Sequence, residues 1–332
     1  MTGLRARTKT GGETSTTGAR AFISLDELLR LKHRATGFSF LPRQPVHSLL
    51  TGRHASRLRG RGLNFEELRH YFEGDDTRSI DWLATARLGT PHVRVYSEER
   101  DRPVLLLVDQ RSTMFFGSRR CMKSVAAAEV AALAAWRVTS LGDRVGAVVF
   151  GDAVAVDVRP QARDAGVVRV LSEVVRQNRI LGAPGVAGMG QLNEALRHAA
   201  RMATHDWLVC LISDAAGADQ ETTRLVTRIC AHNDMLAIYV HDPLEHDLPN
   251  IGTAIFASER GQIEVDSSSA ALRARFGSSQ LEWRARLAGF SRGREIPVLP
   301  VSTERDAAQQ LQALIGRRLE RRAEAARAGT PR

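Results

Sequence analysis

The stretch PVLLLVDQRSTMFFG, residues 103–117, decides how this sequence folds and where its chemistry lies. A continuous apolar run ends at Asp109, and a loop rich in hydroxyl groups follows it. Such a run is typical of a parallel strand that is buried on both faces. Oxygen-bearing side chains directly after the strand indicate a metal site. A cation, Arg111, nevertheless stands where a second ligand is expected.

Strand and helix patterns alternate from this stretch onward. Further apolar runs predict strands at 207–214, 234–242 and 296–303, and a hairpin is predicted around Gly151 and Asp152. Amphipathic or alanine-rich helices lie between them. The alternation predicts an α/β fold with a doubly wound, mostly parallel sheet over residues 103–316. Ligands bind at the carboxyl ends of such strands, so Asp109 and Asp214, which each end a buried run, are expected to face one rim.

The sequence before and after this domain divides into shorter segments. Residues 1–20 form a polar, basic tail without the apolar core of a secretory signal. Residues 21–102 form an N-terminal segment, expected to pack on the sheet domain. It starts with a short helix in a capping box of Ser24 and Glu27, and it ends in a charge-dense stretch with a strand at PHVRVYSEE. Residues 317–332 form the basic end of a C-terminal helix.

The net charge of +10 is concentrated at the two ends of the chain. Residues 1–60 carry 11 Lys and Arg against 3 Asp and Glu, and residues 317–332 carry 6 Arg against 2 Glu, so the remainder is nearly neutral. Basic ends suggest one candidate function, binding to nucleic acid or to an anionic membrane surface. The simpler alternative is a pair of solubilising tails. No nucleic-acid motif or aromatic interleaving indicates sequence-specific binding.

Composition indicates a globular protein in a reducing compartment. Apolar residues make up 43% of the chain, and no run approaches the roughly 18 apolar residues of a membrane span. The 3 cysteines are far apart and form no CxxC pair, which argues against a disulfide framework and a zinc ribbon. We therefore expect a cytoplasmic protein without a transmembrane segment.

Two groups of motifs resemble known families. The order of LLLVDQRSTM and CLISD is similar to that of a von Willebrand factor A-type domain. The preceding stretch GRGLNFEELRHYFEGDDTRSIDWLATAR resembles the signature of the bacterial "domain of unknown function 58" family, whose members carry it before an A-type domain. The most distinctive signature residues are Gly74, Asp75, Asp76, Arg78, Asp81, Trp82 and Arg87.

The resemblance to A-type domains implies a rim site for a divalent cation such as Mg²⁺. Asp109 matches the first aspartate of that pattern, Thr113 stands for its second serine, and Asp214 matches its late aspartate. Arg111 occupies the position of the first serine, and Gly190 the position of the threonine. Two of the implied ligands are therefore lost, and any metal would be held weakly by Asp109, Thr113 and Asp214, with Asn193 nearby.

Arg111 leaves two arrangements open. Its guanidinium either swings outward, which leaves a weak cation site, or it occupies the place of the ion and pairs with Asp109 or Asp214. A guanidinium about 4 Å from a divalent ion costs on the order of 8 kcal/mol at an effective dielectric constant near 20, so we favour the arrangement without a metal. In that arrangement Arg111 either grips a carboxylate of a partner or only neutralises the aspartates.

Two other acidic stretches could carry chemistry. Asp75, Asp76 and Asp81 would suit a metal-dependent hydrolase, but Arg69, Arg78 and Arg87 are interleaved with them, which favours a packed helix with paired charges. The stretch HDPLEHD, which holds His241, Asp242, Glu245, His246 and Asp247, has ligand-type residues and is expected to form a rim loop.

The resemblance implies a function that composition and spacing do not. Members of this family are similar to partners of MoxR-type AAA+ ATPases and are proposed to act as adaptors in protein assembly or maturation. We therefore expect a non-catalytic interaction module without a cofactor. Its binding rim would comprise Asp109, Arg111, Thr113, Gly190, Asn193 and Asp214, and its partners would be the ATPase and a client protein.

Overall fold

The computed structural model describes residues 19–36, 63–98, 102–181, 188, 190–245, 252–258, 261–271 and 296–315. The predicted basic tails, His246 and Asp247 thus lie wholly or almost wholly outside the described residues. The chain divides into two compact units, one formed by residues 1–43 and 102–332 and the other by residues 44–101.

The larger unit is built on a mixed sheet flanked by helices. Its strands are β3 (Pro103–Asp109), β4 (Arg144–Phe150), β5 (Ala155–Gln161), β6 (Leu208–Ser213), β7 (Asp234–His241) and β10 (Val298–Ser302). They lie in the order β10-β7-β6-β3-β4-β5, and all neighbours are parallel except β4 and β5. The antiparallel pair is the predicted hairpin around Gly151, and the mostly parallel sheet confirms the predicted fold class at this level.

Helices cover both faces of this sheet. They are α1 (Leu25–Arg30), α3 (Lys123–Ser140), α4 (Arg163–Ile180), α5 (Gln191–Met202) and α6 (Gln220–Ile229), and residues 307–315 are also helical. Helices α1, α3 and α4 belong to one core cluster, and α5 and α6 to another. Alanine-rich α3 is buried along nearly its whole length, because its small side chains allow close approach to the strands and to α4.

The pairing register of the parallel strands determines where their carboxyl ends lie in the sheet. Val108 pairs with Ile212 and Ile212 with Ile238, so the carboxyl ends of β3, β6 and β7 meet at one edge of the sheet. Side chains directly after these strands are therefore close in space. The predicted placement of Asp109 and Asp214 on one rim is confirmed.

The smaller unit contains β1 (Leu63–His70), β2 (His92–Glu98) and α2 (Trp82–Leu88). Strands β1 and β2 pair in an antiparallel manner, with a register shift between Phe65 and Glu67. The sequence predicted β2 but not β1. Helix α2 is capped by Asp81 and ends at Gly89, whose φ of 73° suits glycine. A further hairpin, β8 (Thr253–Ser258) with β9 (Gly261–Asp266), forms a separate sheet that the sequence patterns did not predict.

One predicted boundary needs correction. Residues 21–102 were expected to form a single N-terminal segment, but α1 belongs to the larger unit. Its capping box of Ser24 and Glu27 is present as predicted. Leu28 is fully buried in the core of the larger unit, and the indole nitrogen of Trp136 donates to its carbonyl oxygen at 3.3 Å. Burial of this apolar side chain therefore joins α1 to α3 in the larger unit.

Candidate functional site

The edge where β3, β6 and β7 end carries a buried group of charged side chains. We call it the rim cluster, and it consists of Asp109, Arg111, Lys123, Asp214 and Glu245. Asp109 is the last residue of β3, Asp214 follows β6 and Glu245 lies four residues after β7. Lys123 is the first residue of α3. The cluster therefore joins three strand ends and one helix start.

Arg111 and Asp109 form a bidentate ion pair with no exposed side-chain surface. The Nε and Nη2 atoms of Arg111 donate to Oδ1 and Oδ2 of Asp109 at 3.0 and 2.7 Å. Nη1 donates to the carbonyl oxygen of Ala216 at 2.9 Å, and the guanidinium lies over the ring of Phe150 at 5.5 Å. Every nitrogen of this guanidinium is engaged inside the protein.

Lys123 connects the two remaining carboxylates of the cluster. Its Nζ atom donates to Oδ2 of Asp214 at 2.8 Å and to Oε1 of Glu245 at 2.5 Å. A cation at the first position of a helix faces the positive end of the helix dipole, which disfavours it. Only 3% of the Lys123 surface is exposed, so the two carboxylates must offset both this dipole and the loss of hydration.

A second set of bonds fixes the loop that carries Glu245. Asp242 is fully buried and accepts hydrogen bonds from the hydroxyl of Ser118 at 2.6 Å and the hydroxyl of Thr303 at 2.5 Å. Its backbone nitrogen donates to Oε2 of Glu245 at 3.0 Å. The loops after β3, β7 and β10 are thus tied together beside the rim cluster.

The pKa shifts in the cluster follow from burial and from the opposing charges. Burial alone would raise the pKa of Asp214, but Lys123 and Arg111 outweigh burial and lower it. Burial raises the pKa of Glu245, and Lys123 only partly offsets that effect. Burial would lower the pKa of Lys123, yet Asp214 and Glu245 raise it. The ammonium is therefore held firmly in its charged form.

The structure brings some of the predicted rim residues together and leaves others apart. Asp109, Arg111 and Asp214 meet, with Nη2 of Arg111 3.7 Å from Oδ1 of Asp214. The Oγ1 atom of Thr113 is buried and has no hydrogen-bond partner among the described residues. Gly190 is the exposed N-cap of α5. Neither Thr113 nor Gly190 bonds to the cluster.

Asn193 needs a correction, because its side chain is committed elsewhere. Its Oδ1 atom accepts from the hydroxyl of Thr222 at 2.6 Å, and its Nδ2 atom donates to Asp219 at 3.0 Å. Asp219 and Thr222 form the capping box of α6. Asn193 therefore connects α5 to the start of α6 and is not a ligand of the rim.

Sequence reasoning missed Lys123 and did not identify the partner of Glu245. The signal for Lys123 is a cation within a helix that is otherwise rich in alanine and buried, which implies a buried partner. The sequence predicts that Glu245 lies in a rim loop with ligand-type residues. In the structure it is an ion-pair partner of Lys123.

The contacts of Arg111 bear on its two possible roles, which are binding a partner carboxylate and neutralising the rim aspartates. A partner carboxylate would have to reach an N–H group of the guanidinium, whose three nitrogens each already donate one hydrogen bond inside the protein. The side chain also has no exposed surface. Arg111 therefore neutralises the rim aspartates, and its guanidinium is not exposed to a partner carboxylate.

The residues present do not fit a divalent cation at the rim. A hard cation needs unoccupied lone pairs on its oxygen ligands. Oδ1 of Asp109 accepts two bonds from Arg111, and Oδ2 accepts from Arg111 and from the hydroxyl of Ser213 at 2.6 Å. Across the described residues, no group of three or more His, Cys, Asp or Glu side chains could hold a metal ion.

The signature segment uses its acidic residues for local structure. Asp75 forms a bidentate pair with Arg69, with both distances 2.8 Å, and this pairing lowers the pKa of Asp75. Asp76 accepts from the backbone nitrogen of Arg78 at 3.0 Å. Gly74 has a φ of 104°, which favours glycine at this turn.

Helix α2 differs from the packed helix that the sequence suggested. Asp81 caps it and pairs with Arg94 at 2.8 Å, not with Arg78 or Arg87, which are exposed. Trp82 and Leu83 are 69% and 71% exposed. The segment therefore presents a large aromatic side chain to solvent, where a packed helix would have buried it.

Comparison with solved structures finds several similar chains, including two from Bacteroides species. One is the conserved hypothetical protein BatB from Bacteroides thetaiotaomicron, with 13% identity, a TM-score of 0.41 and coverage of 66% of this chain and 99% of that chain. The other is an aerotolerance-related membrane protein from Bacteroides fragilis, with 12% identity, a TM-score of 0.42 and the same coverage. No helix within the described ranges is long and apolar enough to cross a membrane.

Comparison of sequences finds similar proteins and a matching family. Uncharacterized proteins of Mycobacterium tuberculosis, Rv1480, and of Mycobacterium bovis, Mb1516, are each 30% identical over 273 residues, which cover 80% of this chain and 82% of each relative. The family model "Protein of unknown function DUF58" matches residues 67–286. The match includes the distinctive signature residues from Gly74 to Arg87 and all members of the rim cluster, and the chain belongs to the DUF58 family.

Proposed function

We propose that this protein is a non-catalytic interaction module of the von Willebrand factor A-like type. It would act with a MoxR-type AAA+ ATPase as an adaptor in the assembly or maturation of a client protein. The partner is suggested by the resemblance of the signature segment and the strand motifs. The observation that carries the proposal is the rim cluster, which holds several loops in a fixed arrangement at the carboxyl edge of the sheet.

The bonding within the cluster favours binding over catalysis. Both oxygens of Asp109, Asp214 and Glu245 accept at least one hydrogen bond each from protein groups. A general base or a nucleophile needs a lone pair directed toward a substrate. These carboxylates are instead directed at internal cations and backbone nitrogens, so their role is to hold the loops.

The docking surface would then be the exposed part of the same rim. Gly190 lies at the start of α5, and the nearby backbone nitrogen of Gly188 donates to Asp152 at 3.0 Å. Asp152 also accepts from the backbone nitrogen of Ser112, beside Arg111. Gly190 is therefore an exposed position close to the buried cluster. The signature segment, with exposed Trp82 and Leu83, would provide a second docking face.

Substitution at Gly190 tests the rim as the docking surface. A Cβ atom at this position meets nothing within 4 Å, and its φ of −75° suits any residue, so Gly190→Arg should fold normally. We expect the wild-type protein to co-purify with the MoxR-type ATPase of its own operon, and Gly190→Arg to lose this capture. Arg111→Glu is less informative, because it would place a carboxylate inside the buried cluster and disturb folding.

Ser140→Arg is the matched control. Ser140 is the exposed last residue of α3, at the end of the helix opposite to Lys123, and should not affect docking. Equal capture of the wild type and both variants would contradict docking at the rim. Failure of the wild type to bind the ATPase would contradict the partner itself.

We further propose a cytoplasmic location. Cys121 and Cys210 are free, and burial raises the pKa of both thiols to about 12. Free cysteines are typical of a reducing compartment.

A further inference from the structure

The rim cluster has the components of a cation site, but its cations are side chains. Two strand-end aspartates and Glu245 supply three carboxylates, and Arg111 and Lys123 supply two positive charges between them. Both cationic side chains are almost fully buried, at 0% and 3% exposure. This is the charge that one divalent ion would bring.

Each of the two cationic side chains lies between two carboxylates that belong to different strand ends. Arg111 lies between Asp109 of β3 and Asp214 after β6, with Nη2 at 2.7 and 3.7 Å from their nearest oxygens. Lys123 lies between Asp214 and Glu245, at 2.8 and 2.5 Å. Asp214 thus contacts both cations. A divalent ion that held the ends of β3, β6 and β7 together would have to take the place of these two cationic side chains.

We propose that Arg111 and Lys123 together replace a divalent cation, so that the rim is assembled without metal and a latent cation site lies beneath them. The proposal concerns the rim of the proposed function but does not depend on any partner. Its first consequence is that the wild-type protein does not bind Mn²⁺ or Mg²⁺ at the rim. Its second is that neutral side chains at both positions create such a site.

Titration with Mn²⁺ tests both consequences. We expect no saturable binding by the full-length wild type. The double variant Arg111→Ser with Lys123→Ser should bind one Mn²⁺ per chain, at least about 100-fold more tightly than the wild type, because the repulsion from two nearby cations is removed. Its melting temperature should rise with the Mn²⁺ concentration, since the ion binds only the folded state.

A control with the same change in charge separates a site from general electrostatics. The exposed side chains of Arg176 and Arg197 form i,i+3 pairs with Glu173 and Glu194. The double variant Arg176→Ser with Arg197→Ser also removes two cations beside carboxylates, and it should bind no Mn²⁺ saturably. Binding by this control equal to that of the rim variant would overturn the proposal.

Two further results would also overturn it. One is stoichiometric Mn²⁺ binding by the wild type that Arg111→Ser with Lys123→Ser does not strengthen. The other is a folded rim variant, judged by circular dichroism, that binds no better than the wild type.

If the rim variant does not fold, the wild type decides the question. Its melting temperature must be the same in EDTA and in excess Mg²⁺, and a shift would overturn the proposal. These experiments contain no ATPase, so failure of the docking proposal would leave their outcome unchanged.

Discussion

Lys123 combines three properties that are each unfavourable for a cation. It is buried, it begins a helix, and it lies in a run of small apolar residues. The two carboxylates at its Nζ atom compensate for these costs, and removal of one partner from a buried ion pair typically costs about 3–5 kcal/mol. The charge balance of the rim therefore depends strongly on this single side chain.

The stability of a Lys123→Met variant should depend on pH in a specific direction. Without the ammonium, burial raises the pKa of Glu245 further in the folded state, and the lowered pKa of Asp214 rises because one of its two opposing charges is gone. A carboxyl group with a raised pKa stabilises the fold below its unfolded pKa and loses that contribution as the pH rises. We expect a loss of roughly 3–5 kcal/mol near neutral pH that shrinks as the pH falls toward the ordinary Glu value of 4.5.

Urea unfolding of the wild type and the variant at several pH values measures this loss. Lys32→Met is the control, since Lys32 pairs with Asp164 on the surface and its side chain is 47% exposed. Its effect should stay below about 1 kcal/mol at every pH. A deficit for Lys123→Met that is the same at neutral and acidic pH would show that the buried charges are not the cause.

At the scale of elements, the sequence predicted most of the larger unit. Strands β3 and β6 are apolar runs because both faces are covered, and the capping residues of α1 are local signals. Strand β1 was missed because LNFEELRH mixes charged and apolar residues without clear alternation. Lys123 and Glu245 could not be paired from sequence, because their contact depends on the packing of α3 beside the loop after β7.

Helix α2 forms where the sequence predicts a helix, but its large apolar side chains are exposed, whereas the sequence predicts a packed helix. Trp82 is 69% exposed, so Trp82→Ala should change the free energy of unfolding by less than about 0.5 kcal/mol. If α2 is the second docking face, the same variant should weaken ATPase binding by at least about 1 kcal/mol, because exposed tryptophans often dominate interfaces.

Calorimetric titration of the ATPase with wild-type and variant protein measures this effect. Ile180→Ala is the control, because Ile180 is an apolar residue with 54% exposure on α4. Unchanged affinity of Trp82→Ala would exclude Trp82 from the docking face. A loss of affinity in both variants would indicate a general change in the protein.

At the scale of the whole molecule, the N-terminal residues complete the larger unit. Arg20 pairs through its backbone with Arg120 and Met122, at 3.0 Å in both bonds, and the backbone nitrogen of Ile23 donates to Asn178 at 3.1 Å. Ile23 and Leu28 are 3% and 0% exposed. Residues distant in sequence from the sheet are therefore part of its core.

Removal of residues 1–36 should consequently destabilise the protein. Loss of two large buried aliphatic side chains, at about 1.5–3 kcal/mol each, predicts a decrease of roughly 3–6 kcal/mol in the free energy of unfolding. A truncation of residues 1–18 alone keeps these side chains and should have a much smaller effect. Chemical denaturation of the two truncated proteins compares them directly, and equal stability would contradict this role of α1.

Strand β5 has a consequence for how this protein behaves at high concentration. It lies at one end of the six-stranded sheet among the described strands, where an unpaired edge could recruit another chain. Exposed Asp157 and Arg159 lie along it, Pro160 lacks a backbone N–H group, and the pairing with β4 shifts register near Pro160. The edge therefore offers no continuous row of donors, and growth of the sheet by strand addition from other copies is disfavoured.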